Sequence, residues 1–155
     1  MSDRTKNGLL YSIAGVLTAA AVGLFLFTSA SRADLPEMTV YRSAACGCCG
    51  GWVQHMEDAG FEVEVIEDRD VVDVKDELGV PPSLHSCHSA VVGDYVVEGH
   101  VPADDVKRLL REQPGVNGVS VPGMVKGSPG MPGMPEPYAV ATFTAAGSTN
   151  LWARH

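Results

Sequence analysis

At 155 residues and a formal net charge of −8, the chain has room for one small domain with appendages, which excludes multi-domain enzymes. From Asp34 onward 8 Lys and Arg face 18 Asp and Glu; a net −10 repels a phosphate backbone and argues against a nucleic-acid partner. A hydrophobic content of 45% fits a globular chain, while 17 Gly and 10 Pro require one loop-rich stretch.

No charge occurs between Lys6 and Arg32, and Leu9 to Ala30 is a 22-residue apolar run. As a helix it would span roughly 33 Å, enough for a ~30 Å hydrocarbon core and longer than a usual secretory core. Length therefore favours a retained membrane anchor. Thr28-Ser29-Ala30 and Ser31-Arg32-Ala33 also offer the small residues that a signal peptidase needs, so a cleaved leader stays open. Either way residues 1–33 read as a targeting segment, and residues 34–155 as an exported, periplasmic domain.

Met38 to Tyr41 alternates as a first strand. Trp52, Val53, Met56 and Ala59 follow the cysteines at helical spacing, with Gly60 as a left-handed stop. Phe61, Val63 and Val65 predict a second strand, and Asp70 suits an N-cap for a helix over Val71 to Leu78, ended by Gly79. Pro81-Pro82 forbid helix. Ala90 to Val92 and Tyr95 to Val97 flank Gly93-Asp94, a two-residue hairpin turn. Pro102 opens a last helix, with Val106, Leu109 and Leu110 on one side and basic residues towards its end. The order β-α-β-α-β-β-α is the thioredoxin-like plan. Gly115 to Tyr138 carries six Gly, five Pro and three Met in 24 residues, which predicts a functional loop or linker without packed elements. Ala139 to Phe143 and Asn150 to Arg154 then flank Ala146-Gly147-Ser148 as a terminal hairpin that packs back.

The four cysteines, Cys46, Cys48, Cys49 and Cys87, are clustered, which points to chemistry instead of a disulfide framework. Cys46 and Cys49 have the C-x-x-C spacing where a strand turns into a helix, and the helix N-terminus favours thiolate there. That supports thiol-disulfide exchange. The extra Cys48, and Cys87-His88 brought near by the fold, support a metal site instead. One Zn²⁺ wants ligands spaced C-x2–4-C, which adjacent Cys48 and Cys49 do not offer comfortably. Thiolates select Cu(I), and adjacent sulfurs pointing apart can bridge different copper ions. Four thiolates with four Cu(I) are neutral; with one Zn²⁺ they retain a charge of −2. A polynuclear Cu(I) site is therefore preferred, with disulfides, Cys46–Cys49 first among them, as the structural alternative in an oxidising compartment. His88 reads as a ligand or a ligand's neighbour. His85 and His100 read as surface or hydrogen-bonded structural residues, and His55 as solvated. Met124, Met131 and Met134 are either soft thioether ligands or loop filling. No Ser-His-Asp set, phosphate loop or paired carboxylates can be assigned, so hydrolase and kinase readings have no support.

Cys46-Gly47-Cys48-Cys49, Cys87-His88-Ser89-Ala90, Glu98-Gly99-His100-Val101-Pro102, Val121-Pro122-Gly123-Met124 and Gly127-Ser128-Pro129-Gly130-Met131 together resemble the signature of the CopG-type copper-resistance proteins. The likeness runs from about Met38 to His155, and departs from the family where Val125-Lys126 replaces a proline after Met124. The resemblance implies a thioredoxin-like fold, an exported location, and copper bound through Cys46, Cys48, Cys49 and Cys87 with His88 beside them. It implies a role in copper tolerance, with copper redox activity and handover to periplasmic copper carriers among the roles open to it. The competing function is a thiol-disulfide oxidoreductase of the cell envelope.

Overall fold

The computed structural model describes residues 35–67 and 71–155. The expected N-terminal helix and the Asp70 cap lie outside the described residues. Pro36–His155 forms one compact unit, and among the described residues no helix is long and apolar enough to cross a membrane.

The elements are β1 (Met38–Arg42), α1 (Gly47–Asp58), β2 (Val63–Glu67), α2 (Val71–Glu77), a 3₁₀ turn (Pro82–Leu84), β3 (His88–Val92), β4 (Tyr95–Glu98), α3 (Ala103–Glu112), β5 (Gly118–Ser120), β6 (Ala139–Phe143) and β7 (Thr149–Arg154). They build one seven-stranded sheet in the order β2-β1-β3-β4-β5-β6-β7. Its first four strands, β2 parallel to β1, β3 antiparallel to β1 and β4 antiparallel to β3, follow the expected thioredoxin-like plan. The terminal hairpin packs back as expected, through β6 antiparallel to β5.

Local chemistry accounts for the boundaries. Gly60 takes φ +97° and Phe61 N–H reaches back to the Met56 carbonyl at 3.1 Å, which closes α1. Gly93, at φ +57°, opens the two-residue turn joining Val92 to Tyr95. Pro82 begins a short helical turn where the prolines were expected to forbid helix, because the first helical position needs no N–H. The loop expected over Gly115 to Tyr138 also contains β5, a short inner strand. Only glycine fits at its first position, since a Cβ on Gly118 would overlap the Val96 carbonyl and the Phe143 ring. Three residues bounded by Gly and Pro leave too little periodicity to reveal a strand in sequence.

Strand alternation directs Val96 and Val97 to opposite faces. Val96 is buried with Val80, Leu84 and Phe143. Met38, Val40, Ala90, Val92, Trp52, Met56, Val106 and Leu109 supply most of the remaining core. β2 lies at the sheet edge, so Val65 and Ile66 stay 38% exposed despite their strand pattern.

Candidate metal centre

β1 runs into α1 through Ser43 to Cys46, and Cys46 is the residue that caps the helix. Cys48 and Cys49 therefore fall in the first helical turn. β3 is antiparallel to β1 with Arg42 opposite His88, so the end of β1 and the start of β3 meet, and Cys87 arrives beside the cysteines of α1. The β3–β4 pairing sets Ser89 against Glu98; extended by two residues, the same register puts Cys87 opposite His100. Three separated segments thus converge at one end of the sheet.

Ligand atoms of Cys46, Cys48, Cys49 and Cys87 all lie within 4.8 Å of one another, and so do those of Cys87, His88 and His100. Cys87 belongs to both groups. Cys46 and Cys49 are joined as a disulfide, while Cys48 and Cys87 are free thiols. Cys46 Sγ and Cys48 Sγ are 3.5 Å apart. Burial, followed by the neighbouring Cys48, pushes the Cys87 thiol up to about 11, so a metal must displace its proton.

Of the two roles expected for His100, surface or hydrogen-bonded, the structure shows the hydrogen-bonded one, and places the ring fully buried beside Cys87. Its Nδ1 lies 2.7 Å from the Pro129 carbonyl, which can only accept, so Nδ1 carries the proton. Nε2 then points its lone pair at Cys87 Sγ, 2.9 Å away. A backbone carbonyl fixing one nitrogen while the other faces a sulfur is how ligating histidines are oriented. His88 is also fully buried, with Nδ1 3.5 Å from Cys87 Sγ and Nε2 without a hydrogen-bond partner. Its ring sits 4.4 Å from Trp52 and edge-on to His100 at 4.9 Å. Burial first, then His100 and Lys75, hold its imidazolium well below the ordinary range, leaving neutral imidazole, the form that binds metal. The hairpin register contained the signal for His100: a two-residue turn at Gly93-Asp94 already pairs position 87 with 100.

The other histidines stand apart. His85 Nε2 meets the Val80 carbonyl at 3.0 Å, the hydrogen-bonded structural role expected of it. His55 was expected to be solvated; instead its Nε2 accepts the Ala103 N–H at 3.1 Å, satisfying one orphan donor at the start of α3.

A buried ion pair supports the Cys87 segment. Lys75 Nζ donates to Glu98 Oε1 at 2.8 Å, with both side chains almost fully buried. The same oxygen accepts Ser86 N–H at 2.5 Å, immediately before Cys87, and Oε2 accepts the Ser89 hydroxyl at 2.5 Å, immediately after His88. Glu98 thus clamps the Cys87-His88 pair from both sides. On the α1 side, Arg42 bridges the Cys46 carbonyl at 3.3 Å and Glu67 at 2.9 Å. No local residue pattern announces that Lys75, in the helix expected over Val71 to Leu78, is buried here.

The comparisons agree with this picture. A family described as a protein of unknown function, DUF411, matches residues 84–131, the span holding Cys87, His88, His100 and the glycine-proline loop as far as Met131. No curated protein matches. A solved structure titled "Copper resistance protein copG- Form 2" is 41% identical, with a TM-score of 0.75, covering 79% of this chain and 99% of that one. Its counterpart "Form 1" is also 41% identical, with a TM-score of 0.74 over 79% of this chain and 98% of that one. With that identity along nearly the whole of those chains, and a cysteine cluster able to hold metal, the chain belongs to the CopG copper-resistance family.

Proposed function

We propose that this protein holds Cu(I) as a cysteine-bridged polynuclear cluster on Cys46, Cys48, Cys49 and Cys87, serving copper resistance in the periplasm. His88 would stand beside the cluster, and His100 would add a second imidazole. The observation that carries the reading is four sulfurs from two segments within 4.8 Å of one another, which suits a soft cation that several thiolates can share. The related solved structures are of copper-resistance proteins, which supports copper over zinc.

The Cys46–Cys49 disulfide sets a condition on loading. Disulfide sulfurs carry no charge and are poor ligands, so an external dithiol must first reduce the pair to two thiols by thiol-disulfide exchange, giving up two electrons and two protons and becoming a disulfide itself. The reverse step is a copper redox reaction: when the two thiolates join as a disulfide, their two electrons reduce two Cu(II) to two Cu(I). Residues 1–33 act in this reading as the anchor or leader that delivers the domain to the periplasm, where copper carriers would be the donors and acceptors.

A second reading, thiol-disulfide exchange, is favoured by that same disulfide at the N-terminus of α1, with Cys46 partly exposed and Cys49 buried. Single substitutions separate the two. Exchange needs only Cys46 and Cys49, so Cys48→Ser would leave insulin reduction intact. A bridged cluster uses every sulfur, so Cys48→Ser lowers the copper carried per chain. Full copper loading of Cys48→Ser, together with strong insulin reduction by the parent chain, would transfer the assignment to the oxidoreductase.

A further inference from the structure

The Cys46–Cys49 disulfide leaves two sulfurs over, and these two are neighbours. Cys48 and Cys87 are free thiols, both half-buried, and their Sγ atoms lie within 4.8 Å of one another. Cys48 is near enough to help push the Cys87 thiol up. A disulfide brings its sulfurs to ~2 Å, a gap that small side-chain rotations on one or both sides can close. Of the four cysteines, one pair is thus joined and the other is poised to join.

The two partners are held unequally. Cys87 sits between Ser86 and the His88-Ser89 pair, and Glu98 accepts both the Ser86 N–H and the Ser89 hydroxyl, so its backbone is fixed. Cys48 follows Gly47, where even an added Cβ would meet nothing within 4 Å, in a first helical turn that lacks a side-chain cap. The adjustable side is therefore Cys48.

Other pairings meet obstacles. Cys48 and Cys49 are successive helical residues about 100° apart around the axis, so their sulfurs point apart. Cys48 also lies 3.5 Å from Cys46 Sγ, but pairing there must first break the bond to Cys49, and Cys49 is fully buried. An oxidant arriving from solvent meets Cys48 and Cys87 instead.

We infer that Cys48 and Cys87 are the site of a second disulfide, so that the oxidised, metal-free domain rests with α1 cross-linked to β3 and no thiol free. The pairing needs no metal, and so stands apart from the copper reading. The oxidant is a small disulfide of the glutathione type. One cysteine attacks its S–S bond and releases one glutathione; the other cysteine attacks the mixed disulfide and releases the second. Two S–H bonds of the protein give one S–S bond, and the two electrons and two protons leave on the two glutathione thiols. Cys46–Cys49 spans three positions, whereas Cys48–Cys87 encloses β2 and α2 and so restrains the unfolded chain more. With both bonds formed, a soft cation finds no thiolate in the site until a reductant opens them.

The test equilibrates the metal-free full chain, in the presence of a chelator, with glutathione disulfide and glutathione at a series of ratios. Free thiols are then trapped by alkylation and read by intact mass and by tryptic peptides. Trypsin leaves Cys46, Cys48 and Cys49 together in residues 43–69 and Cys87 in residues 76–107, so a bond from Cys87 to α1 joins the two peptides. At the oxidising ratios the chain is expected to take up no alkyl group, to retain no glutathione and to yield the joined peptides. Cys48→Ser should lose the joined peptides while still forming Cys46–Cys49, and Cys46→Ser/Cys49→Ser should keep them. Two alkylated cysteines at every ratio would overturn the second disulfide, and this result comes from the parent chain even where a variant fails to fold. Glutathione retained on the parent would overturn it as well, by showing that the second thiol does not reach the first. Joined peptides that persist in Cys48→Ser would overturn the assignment by giving Cys87 a different partner.

Discussion

The two arms of the site are built in different ways. The α1 arm takes Cys46, Cys48 and Cys49 from four consecutive positions, so its geometry is local and the helix start alone creates it. The arm from β3 and β4 assembles Cys87, His88 and His100 through strand register, and burial and the Lys75–Glu98 clamp hold it in place. One arm is partly exposed and already cross-linked, able to change its number of thiolates; the other presents two buried, neutral imidazoles beside a half-buried Cys87. A metal held there would meet an adaptable sulfur arm on one side and buried imidazoles on the other, with Cys87 joining them.

Because Cys87 belongs to both groups, Cys87→Ser should have the largest effect: copper bound per reduced chain falls sharply, measured by anaerobic titration against a coloured Cu(I) chelator. Retention of the parent stoichiometry would show that the arms act separately.

Rigidity of the second arm depends on the clamp. Lys75→Met leaves Glu98 buried without its cation and should cost ~3–5 kcal/mol of stability, read from the denaturant midpoint. Lys75→Met/Glu98→Gln removes the stranded charge while keeping an acceptor for Ser86 N–H, and should recover part of that loss. A single variant as stable as the parent would deny the clamp its role.

The imidazoles come next. His100→Ala and His88→Ala should each weaken copper binding by about 10–100-fold, below the effect of any cysteine change. Equal affinity in His100→Ala would return His100 to the structural role first expected of it.

Much of this contrast follows how local each feature is. The cysteine triad, the Gly93-Asp94 turn and α3 were legible because spacing and turn chemistry act over a few residues. β5 was not, since three residues beside Val96 take their strand character from the sheet around them. Lys75 was not, because only Glu98 and Ser89 from other strands make its burial tolerable. His100 lay between: its partner was fixed by the hairpin, although its side chain alone resembles any surface histidine.

The smallest expected effect lies outside both arms, at His55. Burial, the leading cause, lowers its pKa despite Asp104 and Asp58, and its neutral Nε2 accepts the Ala103 N–H. Below about pH 6.5 the unfolded chain binds this proton more readily than the folded one. The contribution of His55 is therefore fully present above that pH and declines as pH falls through the lowered folded value. A slight acid-side loss of stability should be absent in His55→Gln; an identical pH profile in the variant would contradict this.

The central claim meets its most direct test in the metal content of the fully reduced chain, titrated anaerobically with Cu(I) and separately with Zn²⁺, with free thiols counted before and after. Four reactive thiols, more than one Cu(I) per chain, thiolate-to-copper absorption and loss of thiol reactivity on loading are expected. Saturation by a single Zn²⁺ with no copper–thiolate absorption would contradict it.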